Sequence, residues 1–214
     1  MKVALIGASG FVGAQVLKEA LQRGHEVTAI VRDAAKITTQ DARLTVKAVD
    51  VHNTEELAEI VAGHDAVVSA YNPGWQDPQL YDSYIVGSEA VQLAVKESGV
   101  KRFIVVGGAG SLEVAPGVQL VDTPEFPAEW KQGALAARDY LNTIRKEDKL
   151  DWTFVSPAIM LQPGQRTGKY RTATNNPIFN AENKSEISVE DLAVALIDEL
   201  EQNNFIRQRF TAGY

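Results

Sequence analysis

The sequence predicts an α/β fold of the Rossmann type: a doubly wound, mainly parallel sheet with helices on both faces. Short apolar runs alternate with amphipathic stretches, as βαβ units require. Several of the runs are apolar almost throughout, as expected of strands covered by helices on both sides. The first run leads through a glycine-rich turn directly into a helical pattern.

Strands are predicted at Val3–Ile6, Val27–Val31, Leu44–Val49, Ala66–Ala70, Phe103–Val106 and Trp152–Val155. Between the first two, Val12, Val16, Leu17, Ala20 and Leu21 form one apolar helical face that stops at Gly24. Val86, Ala90, Leu93 and Ala94 give a second face before Gly99. Ser188 and Asp191 resemble a capping box ahead of Val189, Leu192, Ala193, Leu196, Ile197 and Leu200. Residues 1–214 are expected to form one domain. Two stretches rich in Gly, Pro and polar residues, 107–127 and 157–186, each follow a strand's carboxyl end. Ligands bind beyond that edge in open α/β sheets, so both are candidate walls of a substrate pocket.

Composition narrows the chemistry. A net charge of −7 without a Lys/Arg cluster argues against a nucleic-acid partner. With no cysteine, disulfides, thiolate catalysis and Cys-based zinc sites are excluded. His25, His52 and His64 lack metal-ligand spacing and are expected in solvent or capping roles, so no metal site is predicted. The first strand begins at Lys2, leaving no room for a signal peptide, and no apolar run approaches the ~20 residues of a membrane span. A cytoplasmic protein without a membrane partner is expected.

The turn is Gly7-Ala8-Ser9-Gly10-Phe11-Val12-Gly13. Glycines here allow a tight turn and let backbone approach a pyrophosphate resting on the helix N-terminus. The spacing, G-x-x-G-x-x-G, resembles the short-chain dehydrogenase/reductase superfamily in its extended and atypical branches. That resemblance implies a nicotinamide cofactor held by Gly7, Ser9, Gly10, Phe11, Val12 and Gly13. Arg32 and Lys36 follow the second strand, where an arginine suits the 2′-phosphate of NADP and a carboxylate the ribose of NAD. NADP(H) is the expected cofactor and NAD(H) a possible one, because Asp33 competes for the same position. By resemblance Asp50, followed by Val51, falls where the superfamily meets the adenine; Asp50 serves equally well as a helix cap. Ser69, Ala70 and Tyr71 fall beside the nicotinamide ribose.

Most catalytic members of that superfamily carry Tyr-x-x-x-Lys, in which the tyrosine exchanges a proton with the substrate oxygen. Here Tyr71, Tyr81, Tyr84, Tyr140 and Tyr170 are followed four residues on by Trp75, Ile85, Ser88, Ile144 and Thr174, and Tyr214 is last. Trp130 and Ala134 fall near the usual positions, and Gly107-Gly108 replaces the customary serine. Reduction of simple carbonyls needs a positioned acid or base worth ~10²–10⁴-fold in rate; a conjugated acceptor such as a flavin or quinone has less need of one.

Val105-Val106-Gly107-Gly108-Ala109-Gly110-Ser111-Leu112, Arg166-Thr167-Gly168-Lys169-Tyr170-Arg171 and Ile187-Ser188-Val189-Glu190-Asp191 further resemble the NAD(P)H-flavin-reductase-like branch, related to biliverdin reductase B and NmrA-like proteins. The resemblance spans essentially the whole chain. It implies an oxidoreductase passing hydride to a flavin, quinone or similar small conjugated acceptor, or else a non-catalytic NADP-binding sensor of the NmrA type. Tyr71, Trp75, Phe126, Trp130 and Met160 are candidates to flank such a ring, or else pack in core and loops. Ser111 and Thr167 are candidate hydrogen-bond donors to it, or else satisfy their own loops.

Overall fold

The computed structural model describes residues 1–214. The chain runs β1 (Lys2–Ile6), α1 (Phe11–Gln22), β2 (Glu26–Val31), β3 (Leu44–Ala48), α2 (Thr54–Val61), β4 (Ala66–Ser69), α3 (Leu80–Ser98) and β5 (Arg102–Val106). It continues with β6 (Glu113–Ala115), β7 (Val118–Gln119), α4 (Ala128–Ile144), β8 (Asp151–Ser156), β9 (Met160–Gln162), β10 (Arg171–Ala173), β11 (Glu186–Ser188), α5 (Val189–Gln202) and β12 (Gln208–Gly213). Eight strands form the central sheet in the order β10-β12-β8-β5-β4-β1-β2-β3, parallel except for β10. The predicted Rossmann-type sheet is therefore present.

Alternation along each strand feeds two cores. Val3, Leu5, Val27, Ala29, Val68, Val155 and Phe210 pack with α1 and α5 on one face. Ala4, Ile6, Val67, Phe103, Val105 and Phe154 pack with α2, α3 and α4 on the other. All six predicted strands form, and the α1 and α5 faces bury as their spacing requires. Gly24 (φ 84°) and Gly99 (φ 82°) take the left-handed conformation that ends a helix without steric cost.

Four features depart from the sequence reading. The α3 face is rotated: Tyr84, Gly87, Ser88, Val91, Ala94 and Val95 are buried, whereas Val86 and Leu93 face out. This helix packs against both α2 and α4 as well as the sheet, so small and aromatic residues win the inner side over a simple apolar stripe. His25 is buried, with Nε2 2.9 Å from a Glu201 carboxylate oxygen on α5, so it ties the start of β2 to that helix. β12 contains Arg209 and Thr211 and carries no clear apolar signal; it is fixed by parallel pairing with β8 and antiparallel pairing with β10. The two long stretches also hold short strands, β6–β7 in one and β9–β10 in the other, with β9 pairing to β11.

The capping box is half made. Ser188 Oγ accepts from the Asp191 backbone N–H at 3.0 Å, but the Asp191 carboxylate does not reach back. Fully buried, it accepts from the N–H groups of Thr167 and Gly168 (2.8 Å each), the Thr167 hydroxyl (2.5 Å) and the Tyr214 hydroxyl (2.8 Å). One carboxylate thus joins α5, the 163–170 segment and the C-terminal residue. Arg166 of that segment adds a bidentate pair with Glu19 on α1. Hydrogen bonds to a charged group contribute about 1.5–3 kcal/mol each. Asp191→Ala should therefore lower stability by about 3 kcal/mol or more in urea unfolding and speed trypsin cleavage after Arg166 and Lys169 as the segment loosens; an unchanged midpoint would refute the anchoring role.

Candidate functional site

The order of connection reverses between β1 and β4, so the loops leaving their carboxyl ends diverge and open a crevice. Gly7 lines it at φ 77°, and its N–H donates to the Ile30 carbonyl at 2.9 Å. A Cβ on Gly7 would lie 2.5 Å from the Ala70 carbonyl oxygen, and one on Gly13 would lie 2.1 Å from that of Gly7. These two glycines bring strand, turn and helix into contact. Gly10 differs: its Cβ would meet only the Gly7 oxygen, at 3.3 Å. The fold tolerates a small side chain there, so the glycine keeps the outer approach to the helix open.

That approach ends on the N-terminus of α1. Gly10 is its N-cap, no side chain caps it, and its first turn holds no carboxylate. Its leading N–H groups and the positive end of its dipole are thus free to meet an anion. Ser9, Gly10 and Phe11 are exposed around it, Val12 is half-buried and Gly13 is buried.

At the end of β2, Arg32 and Lys36 are both exposed. The Asp33 carboxylate accepts from the Ala35 N–H at 3.0 Å and caps the short turn at Ala34–Lys36. One oxygen of the carboxylate is thus turned back onto its own backbone. Asp50 Oδ1 likewise accepts from the His52 N–H at 3.0 Å, while Asn53, not Asp50, is the N-cap of α2. Val51 is buried behind it.

Beyond β4, Ser69 is buried and Ala70 presses its carbonyl against Gly7. The Tyr71 hydroxyl donates to the Ser83 carbonyl of α3 at 3.0 Å, and its ring fills the space a Cβ on Gly87 would need. Burial pushes its phenol above the usual range; Arg32 opposes the shift, and Asp50 and Asp77 add to it.

Helix α4 follows the crossover from β5 and starts at the same sheet edge. Trp130 in its first turn is exposed, and Trp75, 61% exposed on the loop after β4, lies across Gly133 of that helix. Met160 is exposed at the start of β9, and Phe126 is half-buried. Two candidate donors are withdrawn. Ser111 is 2% exposed, and its Oγ accepts from Arg209 at 3.2 Å. Thr167 donates its hydroxyl to Asp191. Each is one of several neutral groups that satisfy a buried charge, Arg209 or Asp191.

The other phenols are also engaged or enclosed. Tyr81 donates to Asp139 at 2.7 Å, Tyr140 to Gln92 at 3.1 Å, Tyr214 to Ser188 and Asp191, and Tyr170 to Asp198. Tyr84 is buried between Tyr71 and Tyr140. Sequence reading missed the seat that Gly133 gives to Trp75. A glycine inside a helix costs about 1 kcal/mol relative to alanine, and that was the available signal.

Comparison with known proteins agrees with this geometry. YwnB of Bacillus subtilis, an uncharacterised protein, is 42% identical over 214 residues, covering 99% of this chain and 97% of its own. A Bacteroides thetaiotaomicron structure provisionally named an epimerase is 47% identical with a TM-score of 0.94, covering 100% of this chain and 96% of its own. A Streptococcus pneumoniae structure provisionally named an NADH-flavin reductase is 37% identical with a TM-score of 0.85, covering 100% and 99%. The NAD(P)H-binding family matches residues 7–203, from the first glycine of the turn to the end of α5. With its glycine cradle and doubly wound sheet, the chain belongs to the NAD(P)H-binding family, on an atypical short-chain dehydrogenase/reductase fold.

Proposed function

We propose that the protein is an NAD(P)H-dependent reductase that passes hydride to a planar conjugated acceptor, a flavin or quinone, without a side-chain acid or base. The observation that carries this reading is the placement of the phenols. Five of the six hydroxyls donate to partners within the protein, and the sixth is enclosed in the core. The nicotinamide supplies the hydride when bound. Gly7, Gly10 and the α1 N-terminus hold its pyrophosphate, and Trp75 and Trp130 offer flat apolar surface to the acceptor. Charge arriving on a conjugated ring delocalises and takes its proton from solvent. The provisional name of the Streptococcus relative supports the same reaction class.

Arg32 is the proposed 2′-phosphate ligand, which favours NADP(H) over NAD(H), since Asp33 is held in its own turn. A purely sensory role is the competing reading. Stopped-flow mixing of NADPH with excess FMN or a quinone separates the two, because a sensor binds the nucleotide and leaves it unoxidised.

Gly10→Val should abolish nucleotide binding in calorimetry while leaving the circular dichroism spectrum intact, because the added side chain meets the phosphate approach rather than the core. Retained affinity would remove the pyrophosphate assignment. Arg32→Ala should weaken NADPH binding by about 10- to 100-fold, the loss of charge-assisted hydrogen bonds worth about 1.5–3 kcal/mol, and barely move NADH. A wild-type preference for NADH would refute the role of Arg32.

Each phenol with a resolved shift is raised from an ordinary value of 10.0, so each stays protonated through the neutral range. Hydride transfer to FMN or a quinone should accordingly be flat with pH between about 6 and 9, with simple ketones hardly turned over. Tyr71→Phe loses only the bond to the Ser83 carbonyl and should keep most activity. A loss on the order of 10³-fold in that variant, or robust ketone reduction, would reveal a proton donor and overturn the mechanism.

A further inference from the structure

A second polar cluster lies outside the crevice, beneath the segment that follows β5. On β12, Arg209 is 5% exposed and Thr211 is fully buried; in register beside them on β8 lie Phe154 and the fully buried Ser156. Phe154 belongs to the core under α4, so all three polar residues are set on that face of the sheet. Arg209 donates to Ser111 Oγ at 3.2 Å and to Asn175 Oδ1 at 2.9 Å. It thereby latches the 107–127 stretch to the chain that follows β10.

Both of those partners are neutral. The Arg209 Nε–H, the Thr211 hydroxyl and the Ser156 hydroxyl have no partner in the protein. Burial first, and then the charge of Arg145 at the end of α4, push the guanidinium down to about 10, against weaker opposition from Glu113. No carboxylate forms an ion pair with Arg209. An unpaired buried charge is strongly unfavourable, and leaving neighbouring donors bare compounds the cost.

We propose that Arg209 Nε, Thr211 Oγ1 and Ser156 Oγ together hold one small monovalent anion of the halide class, which neutralises Arg209 and fixes the latch. The chemistry favours this occupant. A halide accepts hydrogen bonds from all three groups at once and brings the missing negative charge. A water molecule would satisfy the hydroxyls and leave the charge unbalanced. All three atoms are closed to solvent, which suits an ion close to water in size over a phosphate or a carboxylate carried by a larger ligand.

Two measurements test this on the full-length protein. Crystals grown in sodium bromide, with data collected at the bromine absorption edge, should show an anomalous peak within hydrogen-bonding distance of all three atoms. At constant ionic strength, the thermal midpoint should rise by about 2–4 °C from sodium gluconate to sodium bromide, the shift expected for a ligand at about tenfold over its dissociation constant in a chain of this size. Arg209→Met should abolish the bromide increment. Thr211→Val keeps the volume and removes one ligand, so it should lose most of the increment even if Arg209→Met does not fold. Water density without anomalous signal, or an equal bromide increment in wild type and Thr211→Val, would overturn the proposal.

Discussion

The carbonyl of Gly7 occupies the space that a side chain at position 13 would need, and the carbonyl of Ala70 occupies the space that one at position 7 would need. This double contact is the constraint on which the rest of the site depends. It draws the start of α1 onto the end of β1 and holds the loop after β4 against the same turn. The crevice at the switch point is therefore floored by closely approaching backbone. A helix N-terminus with neither a side-chain cap nor a carboxylate in its first turn then faces the crevice, the geometry on which the proposed anion seat rests.

Around that seat the charged side chains sort themselves by what else they must satisfy. Asp33 and Asp50 turn back onto their own backbones, whereas Arg32 stays exposed at the crevice rim. Tyr71 shows the same logic from the other side of the crevice. Its hydroxyl answers a helix carbonyl of α3, and its ring fills the gap at Gly87, so its position is fixed by packing. Trp75 and Trp130 leave exposed aromatic surface beside it, which the proposed reaction would use to orient a flat acceptor.

The far end of the sheet is organised by buried charges. Arg102 on β5 pairs with Glu199 of α5 at 2.6 Å, and Thr153 of β8 donates to the same carboxylate. Asp191 at the start of α5 gathers the 163–170 segment, which Arg166 pins to Glu19 of α1. Through these contacts α5 and the segment beside it brace α1. Arg209 does the equivalent work on the opposite face, where it joins two irregular stretches that have little regular hydrogen bonding of their own.

The sequence by itself determined the doubly wound sheet, the glycine turn and the α1 and α5 faces. These rest on local rules: periodicity, strand–turn–helix order, and the need for glycine where backbone meets backbone. That Arg32 follows the second strand and that no tyrosine has a lysine four residues on are likewise matters of residue identity and spacing alone. Only the tertiary structure decided where the polar side chains point. Ser111 and Thr167 looked available for a ligand, yet Arg209, 98 residues on from Ser111, and Asp191 claim them. His25 looked like a solvent residue until α5 returned alongside it with Glu201. The α3 face was misread for the same reason. A helix packed on several sides buries whatever its neighbours leave room for, and those neighbours come together only when the whole chain folds.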